Sequence, residues 1–600
     1  PIYLVVEKIT AGFERLPEDW PVHGTTGYGF ANVVNGLLID GGTKARLDRI
    51  YRTFIGEPLE WLSVAYEGKR LIVGTSLAAE LNVIANQLAQ IAGCQRRTRD
   101  LTLNSLKAAL TEVIACFPVY RTYIVSSVSS DDRRYIEWAV AAARRDVAID
   151  SAVFDFVQGV LLGEGPGAEP AVAAAARAFT MKLQQVTAPV TAKGIEDTAF
   201  YRFNRLVSIN EVGGEPDSFG TSVRAFHADA QHRARKWPHE LLATSTHDTK
   251  RSEDVRARIN VLSEMPGEWR AALERWSRMN RARRREVEGL PAPSRNDEYL
   301  LYETLLGTLP FESAEEALPA DYCGRIEAYM VKAVREAKIR SSWSSVNSAY
   351  EAALQEFIRG ILDPRAGNLF FADLVATARR SARFGLLGSL SQTLCKLTAP
   401  GVPDTYQGTE LWDFSLVDPD NRRPVDYGLR GRLLRELRGW SGLPPKEIAT
   451  RARELLDTLP DGRAKLYVIS RTLEWRRAHE RLFSHGEYLP LRAAGPCAAH
   501  VCAFARRHGE EFCITVAPRL YRKLLQPGID WPLGARVWSG TRVELPADLP
   551  AGMLVGLFDG ARSSVRQFDG RRALAVEEVL ESFPVALLAT APQDVEEAPP

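Results

Sequence analysis

The chain has 600 residues, 45% hydrophobic and 25% charged, with 76 Lys plus Arg against 75 Asp plus Glu and a net charge of +1. That length calls for several packed units, and the composition is that of a folded globular protein. The charge balance gives no electrostatic ground for a nucleic-acid or membrane-surface partner, and no apolar run is long enough to cross a bilayer.

Residues 2–7 (IYLVVE) form a β-branched and aromatic run, long enough for a buried strand and too short for a helix. From about 70 to 160 the pattern is helical: SLAAELNVIANQLAQIA and DDRRYIEWAVAAARR repeat apolar residues three and four apart. AVAAAARAF (171–179) continues it. QQVTAPVTAKGIEDTAFYRFNRL (184–206) reads as strand-like and then as a polar loop, and LLATSTHDTKRSEDVRARI (241–259) as strand, polar tip and helix. Long helices follow, including EWRAALERWSRMNRARRREVE, whose basic run 281–285 is expected to be a solvated helix face. SLSQTLCKLTAPGVPDTYQGTEL (389–411) is again helix, strand and loop. From about 495 short alternating strands with Gly and Pro turns (HVCAFARR, EFCITVAP, ARVWSG, MLVGLF, FPVALLAT) predict a β-sandwich, and the polar Pro-rich end a disordered tail.

The seven cysteines are scattered with no CxxC pair, so free thiols in a reducing cytosol are expected rather than zinc or redox chemistry. No signal-peptide pattern is visible, and the expected location is cytoplasmic.

Four stretches share one grammar, an apolar strand followed by a chemically rich loop. They are Val5–Lys8, Thr191–Asp197, Thr246–Arg251 and Gly401–Gly408. Strands separated by helices suggest a parallel α/β arrangement, and in a barrel their C-terminal ends converge on one mouth. Glu7 and Asp248 would then be paired carboxylates of the kind glycosidic chemistry uses, one protonating the leaving oxygen. His247, Lys193 and Lys250 could donate to sugar hydroxyls, while Tyr28, Tyr201 and Tyr406 offer faces to sugar rings. Spacing leaves plainer readings open: Asp248 as a helix cap, and Lys193, Glu196 and Asp197 as a surface ion cluster.

The segments VVEKI (5–9), LPEDWPVHGTTGY (16–28), FPVYRTYI (117–124), AKGIEDTAFYRFNRLVSINEVGG (192–214), TSTHDTKRSEDVRAR (244–258), NDEYLLYETLLG (296–307) and PGVPDTYQGTELWDFSLVDPDNRRPVDY (400–427) run through most of the chain. Together they resemble the maltooligosyltrehalose synthases, the (1→4)-α-D-glucan 1-α-D-glucosylmutases of the α-amylase clan. The resemblance implies the C-terminal part of a (β/α)8 barrel with large helical insertions, followed by an all-β sandwich. Its expected division is barrel strand five with its loop (1–45), a helical insertion (46–182), strands six and seven (183–258), a second helical insertion (259–385), strand eight (386–440), a helical connector (441–494), the sandwich (495–592) and the tail (593–600).

The same resemblance implies Glu7 as general acid/base, Asp248 as transition-state stabiliser and His247 as sugar ligand. Lys193, Glu196, Asp197 and Tyr201 would lie near the reducing-end subsites, with Tyr28, Lys250, Arg251, Tyr406 and Gln407 also facing substrate. The reaction implied converts the reducing-end α-1,4 bond of a maltooligosaccharide into an α,α-1,1 bond, without metal or organic cofactor. One element of the family pattern is absent: no segment like Gly-x-Arg-x-Asp-His-x-Asp-Gly, which carries the nucleophilic Asp, occurs in these residues. The chain is therefore expected to start at barrel strand five and to need the N-terminal half of the enzyme, as a longer or second chain, for activity. A glucan-binding remnant without chemistry, and an α-glucan hydrolase or 4-α-glucanotransferase of the same clan, stay open at this point.

Overall fold

The strand Leu241–Leu242 pairs in parallel with Val402–Pro403. On its other side the Leu241 amide donates to Thr25 O at 3.3 Å, and Thr25 bridges in parallel to Val6. Both neighbours close in on this strand through left-handed glycines. A Cβ on Gly27 (φ +98°) would stand 2.6 Å from Ala243 N, and one on Gly401 (φ +131°) 2.6 Å from Leu242 Cγ. No L-residue meets both the dihedral and the space at either position. Glu240 pins the set, accepting from the Thr25 amide at 3.1 Å and from Arg233 Nε at 3.1 Å.

The computed structural model describes all residues except 1, 146–147, 165–168, 312–317, 366, 441, 550–551 and 591–600. The tail expected at 593–600 lies outside the described residues.

Helices dominate the first 480 residues. The insertion that starts at Trp61 builds one core from Trp61–Gly74, Ala78–Gly93, Leu103–Ala115, Ser130–Ala143, Ser151–Leu161 and Pro170–Thr191. A second core gathers Lys44–Ile55, Pro266–Met279, Arg295–Thr308, Tyr322–Ala337 and Ser348–Leu362. Helix Leu369–Thr398 is the spine: from Gly385 to Thr398 every residue is buried. It touches helices Glu253–Asn260 and Arg463–Ala478 and the sheet strand Glu511–Pro518. A helix buried all round needs such neighbours on every side.

The C-terminal part holds two antiparallel sheets. The larger runs Arg562–Ser564, Met553–Gly556, Ala586–Thr590, Glu511–Pro518, Val501–His508, Glu487–Leu491 from edge to edge. The smaller runs Arg566–Phe568, Arg571–Ala575, Arg542–Glu544, Ala493–Ala494. Val516, Leu587, Val543 and Leu574 from both sheets share one core.

Five sequence expectations change. Residues 2–7, expected as a buried strand, form no regular strand: Val6 makes one isolated bridge, and Ile2, Tyr3 and Leu4 are exposed. Residues 184–191, read as strand-like, lie in the helix Pro170–Thr191, because Phe179, Leu183, Val186 and Val190 recur at helical spacing and bury one face. No strand therefore occurs in 183–206, and the neighbour of Val6 is Thr25, inside the segment assigned to strand five and its loop. The basic run 281–285 is not one helix face: the helix stops at Met279, and Arg285–Val287 pairs with Leu290–Ala292 across Glu288–Gly289, both at positive φ. ARVWSG contains the short helix Ala535–Trp538 instead of a strand, and sheet pairing begins at Glu487, within the expected connector.

Candidate functional site

Beside the single Val6–Thr25 bridge, neighbouring side chains differ in burial. Lys8 turns inward to a buried ion pair with Glu14 and lies 5.0 Å from the Tyr123 ring centroid. Glu7, between Val6 and Lys8, is exposed.

The tip Thr246–Arg251 is shaped by its own hydroxyls. Thr246 Oγ1 accepts from the Asp248 amide at 3.1 Å and donates to Tyr28 Oη at 3.3 Å, while Thr249 Oγ1 donates to Thr246 O at 2.9 Å. Beneath the tip, buried Glu211 accepts the amides of Lys250 (2.7 Å) and Arg251 (3.2 Å) and pairs with Arg256 at 3.2 Å. These bonds fix the tip without using the Asp248 carboxylate. His247 is exposed, its carbonyl held by Asn421 Nδ2 at 2.9 Å.

Tyr28 lies in the field of both carboxylates. It opens helix Tyr28–Leu37, and burial pushes its phenol up to about 12; Thr246 opposes this, and the negative charges of Asp248, Glu7 and Glu211 add to it. Glu7 and Asp248, far apart in sequence, thus act on one hydroxyl.

On the other side stands the π-helical turn Ala192–Ala199, a widened geometry frequent at functional sites. Asp197 bonds Lys193 at 2.7 Å and Lys250 at 3.0 Å, and its carbonyl accepts from Lys338 Nζ at 2.7 Å. Burial works against its ionised form, but the two lysines hold its carboxyl below the usual range. Glu196 is buried and accepts from Tyr120 Oη. Burial pushes Glu196 up to about 7 against the pull of Lys250 and Tyr120, with Asp248 and Asp197 adding to the rise. Tyr120 is pushed well up by burial and by Glu196, with a contribution from Asp248. Asp248 therefore stands in the field of both halves, the Glu7–Tyr28 side and the Glu196–Tyr120 side. An acid that titrates near neutrality beside fixed donors can give or take a proton at cellular pH.

Not every expected residue faces this space. Arg251 is buried, its guanidinium bonded to Tyr329 Oη at 2.8 Å and Asn210 O at 3.4 Å, so it braces the tip from below. Tyr201 is also buried in the core, its phenol in the field of Lys250. Lys250 itself is buried, reaching Asp197 instead of solvent. Tyr406 donates to Asn421 O at 3.2 Å, which joins its loop to the His247 carbonyl through one asparagine, and Gln407 is exposed. Three residues of the site were not singled out from sequence. Tyr120 and Glu211 lie within segments already recognisable (FPVYRTYI and SINEVGG), whereas Lys338 carries no sequence signal. Among the described residues no group of three or more His, Cys, Asp or Glu is placed to hold a metal.

No family model matches the chain. It is 34% identical over 569 residues to a putative maltooligosyl trehalose synthase of Mycobacterium tuberculosis, which covers 92% of this chain and 65% of that protein. The chain thus spans less than two thirds of the length of the curated relatives it matches. Among solved structures it is similar to maltooligosyltrehalose synthase from Arthrobacter ramosus, with TM-score 0.79 and 32% identity over 98% of this chain and 66% of the other. A further crystal structure of a maltooligosyl trehalose synthase gives TM-score 0.72 at 27% identity, over 98% of this chain and 65% of the other.

Proposed function

Because the chain belongs to the maltooligosyl trehalose synthase family, as a homologue spanning 65% of its curated relatives, we propose that it carries the acid/base half of a glucosylmutase site. The observation that carries this reading is that both acid-bearing segments meet around Tyr28: Thr246 of the Asp248 tip bonds its hydroxyl at 3.3 Å, and Val6, next to Glu7, bridges to Thr25. The array Val6, Thr25, Leu241, Val402 supports its placement at the mouth of the second half of a (β/α)8 barrel.

In this reading a maltooligosaccharide binds with its reducing-end glucose toward Glu196, Lys193 and Asp197. Glu7 protonates the glycosidic oxygen as the α-1,4 bond breaks, and Asp248 stabilises the oxocarbenium-like transition state. The donor carbon bonds to a carboxylate nucleophile from outside residues 1–600, supplied by the N-terminal half of the enzyme. The freed glucose stays bound and turns. Glu7 takes the proton of its anomeric hydroxyl, whose oxygen attacks the donor carbon, displaces the carboxylate and closes an α,α-1,1 bond. No water enters and none leaves, so the change is an isomerisation in the synthesis of trehalose units. Holding the glucose is what separates mutase from hydrolase. Glu196, raised to about 7 by burial, can in its protonated form supply a hydrogen-bond donor there that a carboxylate lacks.

The test is incubation with maltopentaose, with the chain alone and co-expressed with the N-terminal half of a relative. Loss of reducing ends without glucose release is expected in the second sample only. Glucose release instead identifies a hydrolase, and no change in either sample leaves a glucan-binding role.

A further inference from the structure

Away from the tip, helices Lys44–Ile55 and Pro266–Met279 line a cavity of about 780 Å³, within the ordinary range for small-molecule sites. The first helix presents Arg46, Arg49, Ile50 and Thr53 to it; the second presents Arg270, Leu273, Glu274, Ser277 and Arg278. Both sets follow helical spacing, so each is one face. Arg281, Arg284 and Arg295 close the wall. Ile50, Phe54 and Leu273 are buried and form an apolar floor.

The cations fall into two groups. Arg284 and Arg295 are anchored: both donate to Ser277 Oγ, and both pair with the buried Glu298 carboxylate, at 3.5 and 3.0 Å. Arg295 also stacks 3.7 Å over the Phe54 ring centroid. Arg270 has a loose pair with Glu274 at 3.8 Å. Arg46, Arg49, Arg278 and Arg281 have no carboxylate partner among the described residues. Arg284 Nε, moreover, is buried with no hydrogen-bond partner.

Like charges gathered around one cavity repel one another unless an anion lies among them, and Arg46, Arg49, Arg278 and Arg281 are exposed to receive one. The guanidinium fork matches phosphate oxygens bidentately. We propose that this cavity binds a compact anion carrying two or more phosphate groups, of the di- or triphosphate class. Four unpaired cations, three on the two helices and Arg281 in the turn after the second, exceed what one phosphate needs. A nucleic acid or other extended polyanion fits less well, because the arginines ring a concavity and the chain as a whole carries only +1. The binding is separate from the Glu7–Asp248 chemistry and does not depend on it.

The test is a titration with inorganic tripolyphosphate at constant ionic strength, followed by calorimetry and thermal melting, with sulfate as the comparison anion. Saturable binding at sub-millimolar concentration, tighter than sulfate, is expected. The double variant Arg49→Ala/Arg278→Ala should weaken it by roughly tenfold or more, while Arg96→Ala/Arg97→Ala, changed at an exposed site on another helix end, should not. Without anion the first double variant should melt no lower than the parent, since it removes repulsion, and this separates lost binding from lost fold. Arg281→Ala repeats the test without altering either helix. Absence of saturation, equal affinity for sulfate, or equal weakening by both double variants overturns the proposal.

Discussion

The clusters around Lys250 and Lys465 are built from the same parts, a lysine gripping carboxylates, and both draw on residues 246–254. At the tip, Lys250 holds Asp197, which is a quarter exposed and shared with Lys193, and it faces Glu196 across open chemistry. A few residues on, Lys465 bonds Glu253 at 2.7 Å and Asp254 at 2.8 Å, with Lys396 at 3.9 Å from Glu253, and every one of these side chains is at most 1% exposed. Burial raises both carboxyls, but Lys396 and Lys465 overcome it at Glu253 and not at Asp254. The second cluster ties helices Glu253–Asn260, Leu369–Thr398 and Arg463–Ala478 together. The difference teaches that charge burial alone does not mark function: what distinguishes the tip is groups with spare valence beside an exposed acid.

That comparison breaks or sharpens at four points. The largest effect belongs to Glu7→Gln, which should lower the mutase rate of the completed enzyme by about 10²–10⁴-fold while leaving its melting temperature in place. An equal loss of stability would erase the distinction between mouth and lock. Lys465→Met should do the opposite, costing about 3–5 kcal/mol in urea unfolding because two buried carboxylates lose their main partner; adding Asp254→Asn should restore part of it.

Lys250→Met should cost less, about 1–3 kcal/mol, since Lys193 still holds Asp197. Its sharper readout is Glu196, whose midpoint by carbon NMR should climb above about 7 once Lys250 no longer opposes burial. The smallest effect is a pH slope. Glu196 is raised from 4.5 to about 7 in the fold, so between those values the unfolded chain has lost a proton that the native chain keeps. Its contribution is fully present below the lower value and is lost as pH rises through about 7. Stability curves of Glu196→Gln and the parent should differ by that slope, and parallel curves would show that folding does not shift Glu196.

Much of this was legible locally. The helices Ala78–Gly93 and Ser130–Ala143 follow from local pattern alone, as do the strands Val501–His508 and Glu511–Pro518. Of the four strand-and-tip segments, those at 241 and 402 pair directly, and the one at 5–8 joins them only through Thr25. The fourth misled. Val186, Thr187, Val190 and Thr191 favour strands by side-chain shape, but their apolar spacing with Phe179 and Leu183 fits a helix, and packing decided for it.

By itself the sequence determined periodicity, punctuation and family likeness, because these depend on neighbours within a few turns or on long matched motifs. Only the tertiary structure decided which charges stay available. It seated Thr25 beside Val6, turned Arg251 into the core, placed Tyr120 on Glu196, and set Arg46 and Arg49 opposite Arg278 and Arg281. Such outcomes rest on contacts between residues tens to hundreds of positions apart. A side chain's partner there is fixed by how whole helices pack, and local pattern carries no term for that.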